Sequence, residues 1–390
     1  MNKAKLKKIK NVTIENYKSY ALETKIEFSN LNIITGANSS GKSSLIESLL
    51  ILAQSGEHNT LNGHLKKLGN FDNLNNKFTD NNDIRFLYGI DDSKFSIVIN
   101  ENNVVTSDTY NQKNITDIVY LSADRIGVLD CYKKNRDSQY FGPRGEELIS
   151  LLYETQSDRN FVKENRELFI KENSIHAEFD NFPIYESNPI SQLRFDGEGV
   201  RYLDEKHENA KLINVVNNWF EILTGYTISI NEISSQLLQV LYHKDGLVFE
   251  PQHVGTGVTF ILFQIIAALV APAGYKVIIE NPEIHLHPSL QSQLMYFYQW
   301  ISESGRQIFI ETHSDHIFNI AKYFKVENRD CTVLFAKLIE IEDDEFGRIT
   351  TTQIQNIQLA ENGDIIDYPD GLFDQYLKDN NKFYNYIYSK

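Results

Sequence analysis

A glycine- and serine-rich segment, GANSSGKSS, lies near the start of the chain between two apolar stretches. It fits the P-loop pattern G-x-x-x-x-G-K-[ST], which requires a strand before it and a helix after it. Here LNIIT precedes the segment and LIESLLIL follows it, so both flanks have the required character. A chance glycine-serine turn is the alternative, and it leaves these flanks unexplained. The segment predicts an α/β fold of the P-loop NTPase type that binds a nucleotide.

Each residue type in this segment has a physical role in binding phosphate. Glycines let the backbone form a ring of N–H donors, and the start of the helix adds partial positive charge. Lys42 is expected to reach the β and γ phosphates, and the Ser43 hydroxyl to bind Mg²⁺. The predicted phosphate-binding residues are Gly36, Ala37, Asn38, Ser39, Ser40, Gly41, Lys42, Ser43 and Ser44. ATP and Mg²⁺ are therefore the expected cofactors.

A P-loop also needs a second acid on a neighbouring strand to hold the metal. The segment KVIIENPEIHLHP supplies a short apolar strand that ends at Glu280, where a Walker B acid would stand. Asn281, Pro282 and Glu283 follow it directly. The alternative is that these acids only cap the helix that begins at Pro288, since acidic residues are common before helices.

Another apolar strand, in RQIFIETHSDH, ends in Glu311, Thr312 and His313. A histidine at the carboxyl edge of a parallel sheet can reach a γ phosphate, and a purely structural histidine is the alternative. A transition-metal cluster is a further alternative, because H-x-H and H-x-x-H spacings bring side chains together. Its ligands would be His285, His287, His313 and His316. No nearby cysteine completes a familiar zinc spacing, which argues against it.

Two glycines, Gly255 and Gly257, precede an apolar helix in HVGTGVTFILFQ. Glycines at a helix start expose N–H groups that accept anions. An ordinary turn into a buried helix is the alternative interpretation.

Composition limits the partners and the compartment. The chain has 390 residues and a formal net charge of −15, so its surface as a whole repels phosphate backbones and any nucleic-acid contact needs a local basic patch or a partner. Cys131 and Cys331 form no disulfide framework, which favours a reducing compartment. The most apolar window, Ile261–Pro272, falls short of the roughly 20 residues of a membrane span. No export signal is visible, and a cytoplasmic location without membrane contact is expected.

Hydrophobic periodicity gives the organisation of the chain. Period-two runs predict three strands in residues 6–35, an antiparallel meander over 84–105 and a strand at DIVYL. The middle third shows helical patches at Glu146–Tyr153, Asp158–Lys171 and Ala210–Leu223. Residues 257–324 alternate helix and strand, which is typical of βα units on a parallel sheet. The predicted domains are 1–125, an N-terminal half with the P-loop and β meander; 126–250, a compact helical insertion; 251–330, the C-terminal half; and 331–390, a small tail.

Several sequence blocks in combination resemble the ABC-type ATPase heads of the SMC and RecF class. These blocks are NYKSY, GANSSGKSS, YLSADRIG, VGTGV, ENPEIHLHP and ETHSDH, and they span residues 16–316. They look most like bacterial AAA-family ATPases related to the overcoming-lysogenization-defect (OLD) proteins, many of which occur in antiphage defence modules. The tail GDIIDYPDGLFDQ also looks like the end of one subfamily, which carries ENPE. The resemblance implies an ABC-type ATPase head with an antiparallel β subdomain and a compact helical insertion.

The resemblance implies a role for each matching residue. Glu280 becomes the acid directed at Mg²⁺, and His313 the switch histidine that senses the γ phosphate. Gly255 and Gly257 match the signature segment, which in such heads contacts the nucleotide of the opposite subunit. That implies a head-to-tail homodimer with two ATP molecules between its subunits. Lys18 and Ser19 match the place where the opening strand approaches the nucleotide, Gln54 is a candidate for the metal-binding glutamine, and Arg125 has no assigned role.

One departure and one absence refine the expectation. Many relatives read D-E-P-E where this chain has ENPE, so Asn281 replaces the usual catalytic glutamate. An amide cannot act as a general base, so either Glu283 takes that role or hydrolysis is slow. OLD-type nucleases carry a metal-dependent nuclease domain with a D-x-D pair after the ATPase. No D-x-D occurs in residues 314–390, so a nuclease domain is not expected in this chain.

Three functions agree with these features. The leading hypothesis is a dimeric ATPase that acts as a nucleotide-driven switch for a separate effector, such as a nuclease or toxin, in a bacterial defence system. The second is a weakly or non-hydrolysing scaffold in which ATP locks the dimer. The third is a RecF-like repair or recombination ATPase, in which basic segments such as Lys3–Lys10 and HLKKLG contact DNA within a complex.

Overall fold

The fold consists of two compact units. The P-loop unit lies within Lys8–Thr116 and Glu311–Lys390, and the other unit lies within Asp117–Ile310. We call Glu280–Glu283 the acid turn, and the unit that contains it the acid-turn unit. The computed structural model describes residues 8–55, 60–79, 83–102, 105–107, 117–135, 141–158, 211–344, 347–360 and 362–388.

An antiparallel sheet forms one part of the P-loop unit. Its strands are β1 (Ile9–Glu15), β2 (Thr24–Glu27), β4 (Asp83–Ile90), β5 (Ser93–Asn100) and β6 (Val105–Ser107), and the sheet order is β2-β1-β4-β5-β6. Alternate residues of β1, β4 and β5 are buried, because successive side chains of a strand point to opposite faces. The meander predicted over residues 84–105 is confirmed.

The P-loop strand β3 (Leu31–Gly36) lies in a second sheet of this unit. It pairs in parallel with β14 (Cys331–Asp343), which in turn pairs antiparallel with β15 (Gly347–Asn356). Residues 331–356 therefore belong to the sheet that holds the P-loop, which corrects the predicted boundary at residue 330. The physical reason is the buried run Cys331–Ala336, since a strand buried on both faces must lie inside a sheet.

Helices and short strands complete the P-loop unit. They are α1 (Lys42–Gln54), α2 (Phe71–Leu74), α7 (Asp315–Val326), α8 (Gln375–Tyr388), β16 (Gln358–Leu359) and β17 (Ile365–Ile366). Helix α1 is buried along nearly all of its length, as the apolar sequence after the P-loop predicts.

The acid-turn unit contains the predicted βα segments. Its strands β7 (Ile118–Leu121) and β12 (Lys276–Glu280) are parallel, with Leu121 opposite Ile279, and β13 (Gln307–Glu311) lies on the other side of β12. Glu311 itself begins the return to the P-loop unit. The helices are α3 (Leu148–Thr155), α4 (Leu212–Thr224), α5 (Thr256–Val270) and α6 (Pro288–Ser302).

The interval 126–250 holds more β structure than the sequence indicated. An antiparallel sheet contains β8 (Tyr132–Lys133), β9 (Thr227–Ser234), β10 (Leu237–Lys244) and β11 (Leu247–Phe249). Two of the three helices predicted in the interval 126–250 are present as α3 and α4. The third, Asp158–Lys171, lies outside the described residues except for Asp158.

Aromatic and aliphatic packing forms the core of the acid-turn unit. Trp219 of α4 contacts Phe297 and Trp300 of α6, with ring centroids 5.2 Å apart in both pairs. Helix α5 is apolar on all sides and buried from Thr259 to Leu269, as its sequence predicts. Within the part of the chain that the structure describes, no helix has the length and apolar character of a membrane span.

Candidate nucleotide site

The P-loop adopts backbone conformations that favour glycine at two positions. Gly36 has φ +145° and Gly41 has φ +100°. A Cβ atom on Gly36 would lie 2.1 Å from the carbonyl oxygen of Ala336, and one on Gly41 would lie 2.4 Å from the Thr352 hydroxyl oxygen. Contacts this short leave no room for a side chain, so strands β14 and β15 require glycine at both positions.

Lys42 is directed into the loop that precedes it. Its Nζ donates to the carbonyl oxygens of Gly36, at 3.0 Å, and Ala37, at 2.7 Å. Burial lowers the pKa of Lys42 from its ordinary value, and the Glu311 carboxylate opposes that shift. The ammonium group therefore stands within the ring of loop backbone that the sequence assigns to phosphate.

Ser43 has an acidic neighbour in the same unit. Its hydroxyl donates to the two carboxylate oxygens of Glu311, at 3.1 and 3.4 Å. Glu311 was not predicted as a site residue, although the signal was present: an acid at the end of a buried apolar strand, as at Glu280. A hydroxyl beside a carboxylate offers the hard oxygen ligands that Mg²⁺ prefers, so these residues fit the predicted metal.

His313, predicted as the switch histidine, follows two residues after Glu311 and is exposed. The next residue, Ser314, caps helix α7 by accepting a hydrogen bond from the Ile317 N–H at 3.2 Å. The role of His313 as a switch histidine stays a prediction.

A cavity of about 240 Å³ lies against the P-loop. It is lined by Lys18, Ser19, Ser39, Ser40, Gly41, Lys42, Ser43 and Ser44. The structure therefore brings Lys18 and Ser19 together with the predicted phosphate-binding residues. Ser19 is fixed from β15, because its hydroxyl accepts from the Thr352 hydroxyl at 2.7 Å and its carbonyl accepts from the Thr352 N–H at 2.7 Å.

A buried carboxylate on α1, Glu47, holds Lys18 at the cavity. Lys18 Nζ lies 2.5 Å from Glu47 Oε2, which also accepts from the Tyr17 hydroxyl at 2.9 Å. Lys66 Nζ lies 3.3 Å from the other oxygen of Glu47. The buried ion pair therefore fixes the position of Lys18, the lysine that lines this part of the cavity.

Gln54, predicted as a metal ligand, has a different role. Its side chain is buried, its amide nitrogen donates to the Thr60 carbonyl at 2.8 Å, and its oxygen accepts from the N–H groups of Leu65 and Lys66 at 3.0 and 2.8 Å. Both ends of the amide are used to order the segment after α1. The prediction of Gln54 as a metal ligand is therefore corrected: the end of α1 faces the interior, where its polar group must be satisfied locally.

In the acid-turn unit, the predicted Walker B acid stands at the end of β12. Glu280 Oε1 accepts from the Tyr120 hydroxyl at 2.9 Å, and Oε2 accepts from the Ala123 N–H at 3.1 Å. Tyr120 lies in β7 and Ala123 just after it, so the parallel pairing of β7 and β12 orients this carboxylate.

The turn after Glu280 has an unusual backbone. Asn281 has φ +44°, and its side-chain oxygen is buried without a hydrogen-bond partner among the described residues. The turn continues into a short coil in which Ile284 N–H donates to the Asn281 carbonyl at 3.3 Å. A left-handed residue at this position is strained for most side chains, and asparagine tolerates it better than most.

The two glycines before α5 differ in their surroundings. A Cβ on Gly257 would lie 2.4 Å from the carbonyl oxygen of His285, so close packing against the segment after the acid turn requires this glycine. Gly255 is the N-cap of α5, is exposed, and has no atom within 4 Å of a Cβ position. Packing within the chain therefore explains Gly257 and leaves Gly255 free for contact with a ligand or a partner.

A family model described as "AAA domain, putative AbiEii toxin, Type IV TA system" matches residues 31–319. The match includes the P-loop, the glycines before α5, the acid turn and the segment around His313, and it covers most of the chain. The chain belongs to this AAA family. It is an ATPase of the AAA type.

This AAA ATPase is similar to two further proteins, one by sequence and one by structure. It is 24% identical over 349 residues to an ATP/GTP phosphatase from Helicobacter pylori (strain ATCC 700392 / 26695), covering 80% of this chain and 87% of the relative. Its structure is similar to the Smc head domain from Pyrococcus furiosus with an extended coiled coil, bound to the C-terminal domain of ScpA. That similarity has a TM-score of 0.51 at 12% identity and covers 90% and 96% of the two chains. The predicted fold, an α/β P-loop NTPase of the ABC-type head class, is confirmed.

The histidines of the AAA ATPase's ENPEIHLHP segment have structural contacts. His285 stacks on the Phe260 ring with centroids 5.3 Å apart, and His287 caps α6 by accepting from the Ser289 N–H. Among the described residues, no group of three or more His, Cys, Asp or Glu side chains is arranged to hold a metal ion. These contacts favour the structural interpretation of both histidines.

Proposed function

We propose that this AAA ATPase is an ATP-driven dimeric switch that controls a separate effector protein. The observation that carries the proposal is the pair of anion-accepting features: the lysine-lined P-loop cavity and the exposed Gly255 at the start of α5. A helix start whose N–H groups face outward can accept the phosphate of a nucleotide held by a second copy of the chain. ATP then acts as the ligand that joins two heads.

In the P-loop unit, the residues that would hold Mg²⁺ are Ser43, which follows the P-loop lysine, and Glu311, whose carboxylate lies beside the Ser43 hydroxyl. In the acid-turn unit, Glu280 at the end of β12 stays the predicted Walker B acid. A bound metal would neutralise negative charge on the β and γ phosphates, and Lys42 and the loop N–H groups would hold further phosphate oxygens.

Dimerisation is expected to depend on ATP that is not yet hydrolysed. In light scattering, a non-hydrolysable ATP analogue should hold the dimer for hours, whereas ATP should give a dimer that decays as it is consumed. Gly255→Asp should weaken the analogue-bound dimer at least about tenfold, because a carboxylate at this helix start repels phosphate. The folded monomer should be unaffected, since aspartate is a good N-cap.

Gly127→Asp is the matched control for this experiment. Gly127 lies in the same unit and also has no atom within 4 Å of a Cβ position, so it accepts the same charge without steric conflict. Equal dimerisation by both aspartate variants, or a monomer at every nucleotide concentration, would contradict the switch.

The second candidate is a scaffold that binds ATP and hydrolyses it little or not at all. Asn281 favours it, because an amide in place of the usual glutamate cannot accept the proton of the attacking water. If Glu283 supplies the base instead, Glu283→Gln should lower ATP turnover at least about tenfold with little change in the KM for ATP. Steady-state turnover of the wild type and of Glu283→Gln separates the two candidates, with Glu232→Gln, a surface carboxylate paired with Lys134, as the control.

Equal turnover by the wild type and Glu283→Gln would remove Glu283 from catalysis and favour the scaffold. The protein should be assayed alone and with co-purified partners, because some ATPase switches need their partner for hydrolysis. A nuclease or toxin retained by the ATP-bound dimer would support a defence role.

We propose a cytoplasmic location and no membrane partner. A RecF-like role in DNA repair has less support, because Lys66 of the HLKKLG segment is paired with Glu47 and is therefore not a free phosphate contact. The other basic segment, Lys3–Lys10, lies outside the described residues up to Lys7. DNA binding that weakens steeply with salt would revive this alternative.

A further inference from the structure

Arg125 has a buried guanidinium that donates hydrogen bonds to the backbone of the acid turn. Its Nη2 donates to the carbonyl oxygens of Glu280, at 2.5 Å, and Asn281, at 2.6 Å. The residue is 5% exposed, and its guanidinium carbon lies 5.8 Å from the centre of the Phe260 ring. One nitrogen therefore fixes two successive peptide groups, those that carry the Walker B acid and the following asparagine.

A second buried side chain holds the next carbonyl of the acid turn. Gln264 of α5 donates from Nε2 to the Pro282 carbonyl at 3.1 Å, and its own oxygen accepts from the Tyr298 hydroxyl. Arg125 and Gln264 together hold three successive carbonyl oxygens. The backbone of the turn is thus set from two sides by donors that do not belong to it.

Burial of the Arg125 guanidinium has a free-energy cost, which packing alone does not explain. Arg125 Nε and Nη1 are buried and make no hydrogen bond among the described residues. Burial lowers the pKa of Arg125 from its ordinary value, and the nearby Tyr298 and Glu283 oppose that shift. Burying a guanidinium with unsatisfied N–H groups is unfavourable, and an apolar side chain of similar size would pack at lower cost. Its specific contribution is the geometry of the turn.

We propose that Arg125 is the positioning residue for the acid turn, and that it sets the rate of ATP hydrolysis through the orientation of Glu280 and Glu283. Arg125 acts through the peptide groups of the turn and makes no contact with ATP itself. The proposal rests on the ATP hydrolysis described above. It assigns a role to the arginine of YLSADR, which sequence comparison left without one.

We call the two hydrogen bonds from Arg125 to the acid turn the clamp. The test compares two substitutions that remove different parts of it. Arg125→Met keeps volume and removes all donors, and Arg125→Lys keeps the charge but has no planar fork to bridge two carbonyls. We expect kcat for ATP to fall about 10- to 100-fold in Arg125→Met and by less in Arg125→Lys, since partners that orient active-site ligands are typically worth this much. The KM for ATP should stay within about twofold in both, because the P-loop is unchanged.

Arg144→Lys is the matched control. Arg144 is half-exposed and contacts Asp124, the residue before Arg125, so it tests the same segment without the clamp. Its kcat should equal that of the wild type.

Amide hydrogen exchange gives a readout that does not depend on activity. Loss of the clamp should speed exchange at Ile284 and Leu286, whose N–H groups donate to carbonyls of the turn, and leave the P-loop helix α1 unchanged. A kcat that is unchanged in both variants would overturn the proposal. So would a parallel rise in KM with faster exchange throughout the chain, because that pattern indicates a general folding role. A wild type without turnover but with faster exchange confined to the turn in the variants would refute hydrolysis and leave the clamp itself supported.

Discussion

Replacing Lys42 by alanine is expected to lower kcat/KM for ATP hydrolysis by at least about a hundredfold, or roughly 2.7 kcal/mol of transition-state stabilisation. The ammonium group stands inside the P-loop, within 3.0 Å of the carbonyls of Gly36 and Ala37. Alanine removes the only cationic side chain of residues 36–44 and leaves the β and γ phosphates to backbone N–H groups and serine hydroxyls. Steady-state turnover and equilibrium binding of a fluorescent ATP analogue measure the two parts of the loss.

Folding should be little affected by this substitution. Two N–H···O bonds within the loop are lost, which costs on the order of 1 kcal/mol each. Lys325→Ala is the matched control, because burial also lowers the pKa of Lys325 but this residue lies at the end of α7, outside the cavity. Turnover by Lys42→Ala within fivefold of the wild type would mean that the P-loop does not serve hydrolysis.

Glu280→Gln is expected to have the second largest effect, a fall in turnover of about a hundredfold with ATP binding retained. The carboxylate accepts hydrogen bonds from the Tyr120 hydroxyl and the Ala123 N–H. Glutamine removes the negative charge that attracts Mg²⁺ and turns an NH₂ group toward one of these two donors. Turnover measured across a Mg²⁺ titration should show a weakened apparent metal affinity together with a lower maximum.

Tyr120→Phe separates charge from orientation at this site. It removes one hydrogen bond to Glu280 and no charge, so turnover should fall only about three- to tenfold with the Mg²⁺ dependence preserved. If Glu280→Gln and Tyr120→Phe behave alike, orientation rather than metal binding is the main contribution of Glu280. A metal dependence that is unchanged in Glu280→Gln would place the Mg²⁺-binding carboxylate elsewhere, with Glu311 as the next residue to test.

The parts of the fold that the sequence predicts are those with local signals. Strand β3, the P-loop and α1 follow from a glycine pattern between two apolar runs, and β12, α6 and β13 follow from short apolar strands alternating with a longer helix. The strands β9 and β10 escaped prediction because polar residues such as Asn231 and Glu232 interrupt an exposed half of the hairpin. Their pairing depends on contacts across the sheet, which no local pattern contains.

For the candidate site, the sequence supplies motifs. Lys42 and Ser43 are predicted from the spacing of the P-loop pattern, and Glu280 from its place at the end of an apolar strand. The contacts of Glu311 and Gln54 are not, because each depends on which neighbour the fold brings to the side chain. Arg125 was noticed in the sequence and could not be assigned, since its partners are backbone carbonyls, and these have no sequence signature.

The support that β14 and β15 give the P-loop has a consequence for biosynthesis. Gly36 lies against Ala336, and Gly41 against Thr352, so the loop obtains two of its walls from residues made some three hundred positions later. During translation the P-loop cannot complete its packing until β14 and β15 have left the ribosome. A fragment that ends after the His313 segment would therefore contain the P-loop and the acid turn and still lack the strands that pack against the P-loop glycines.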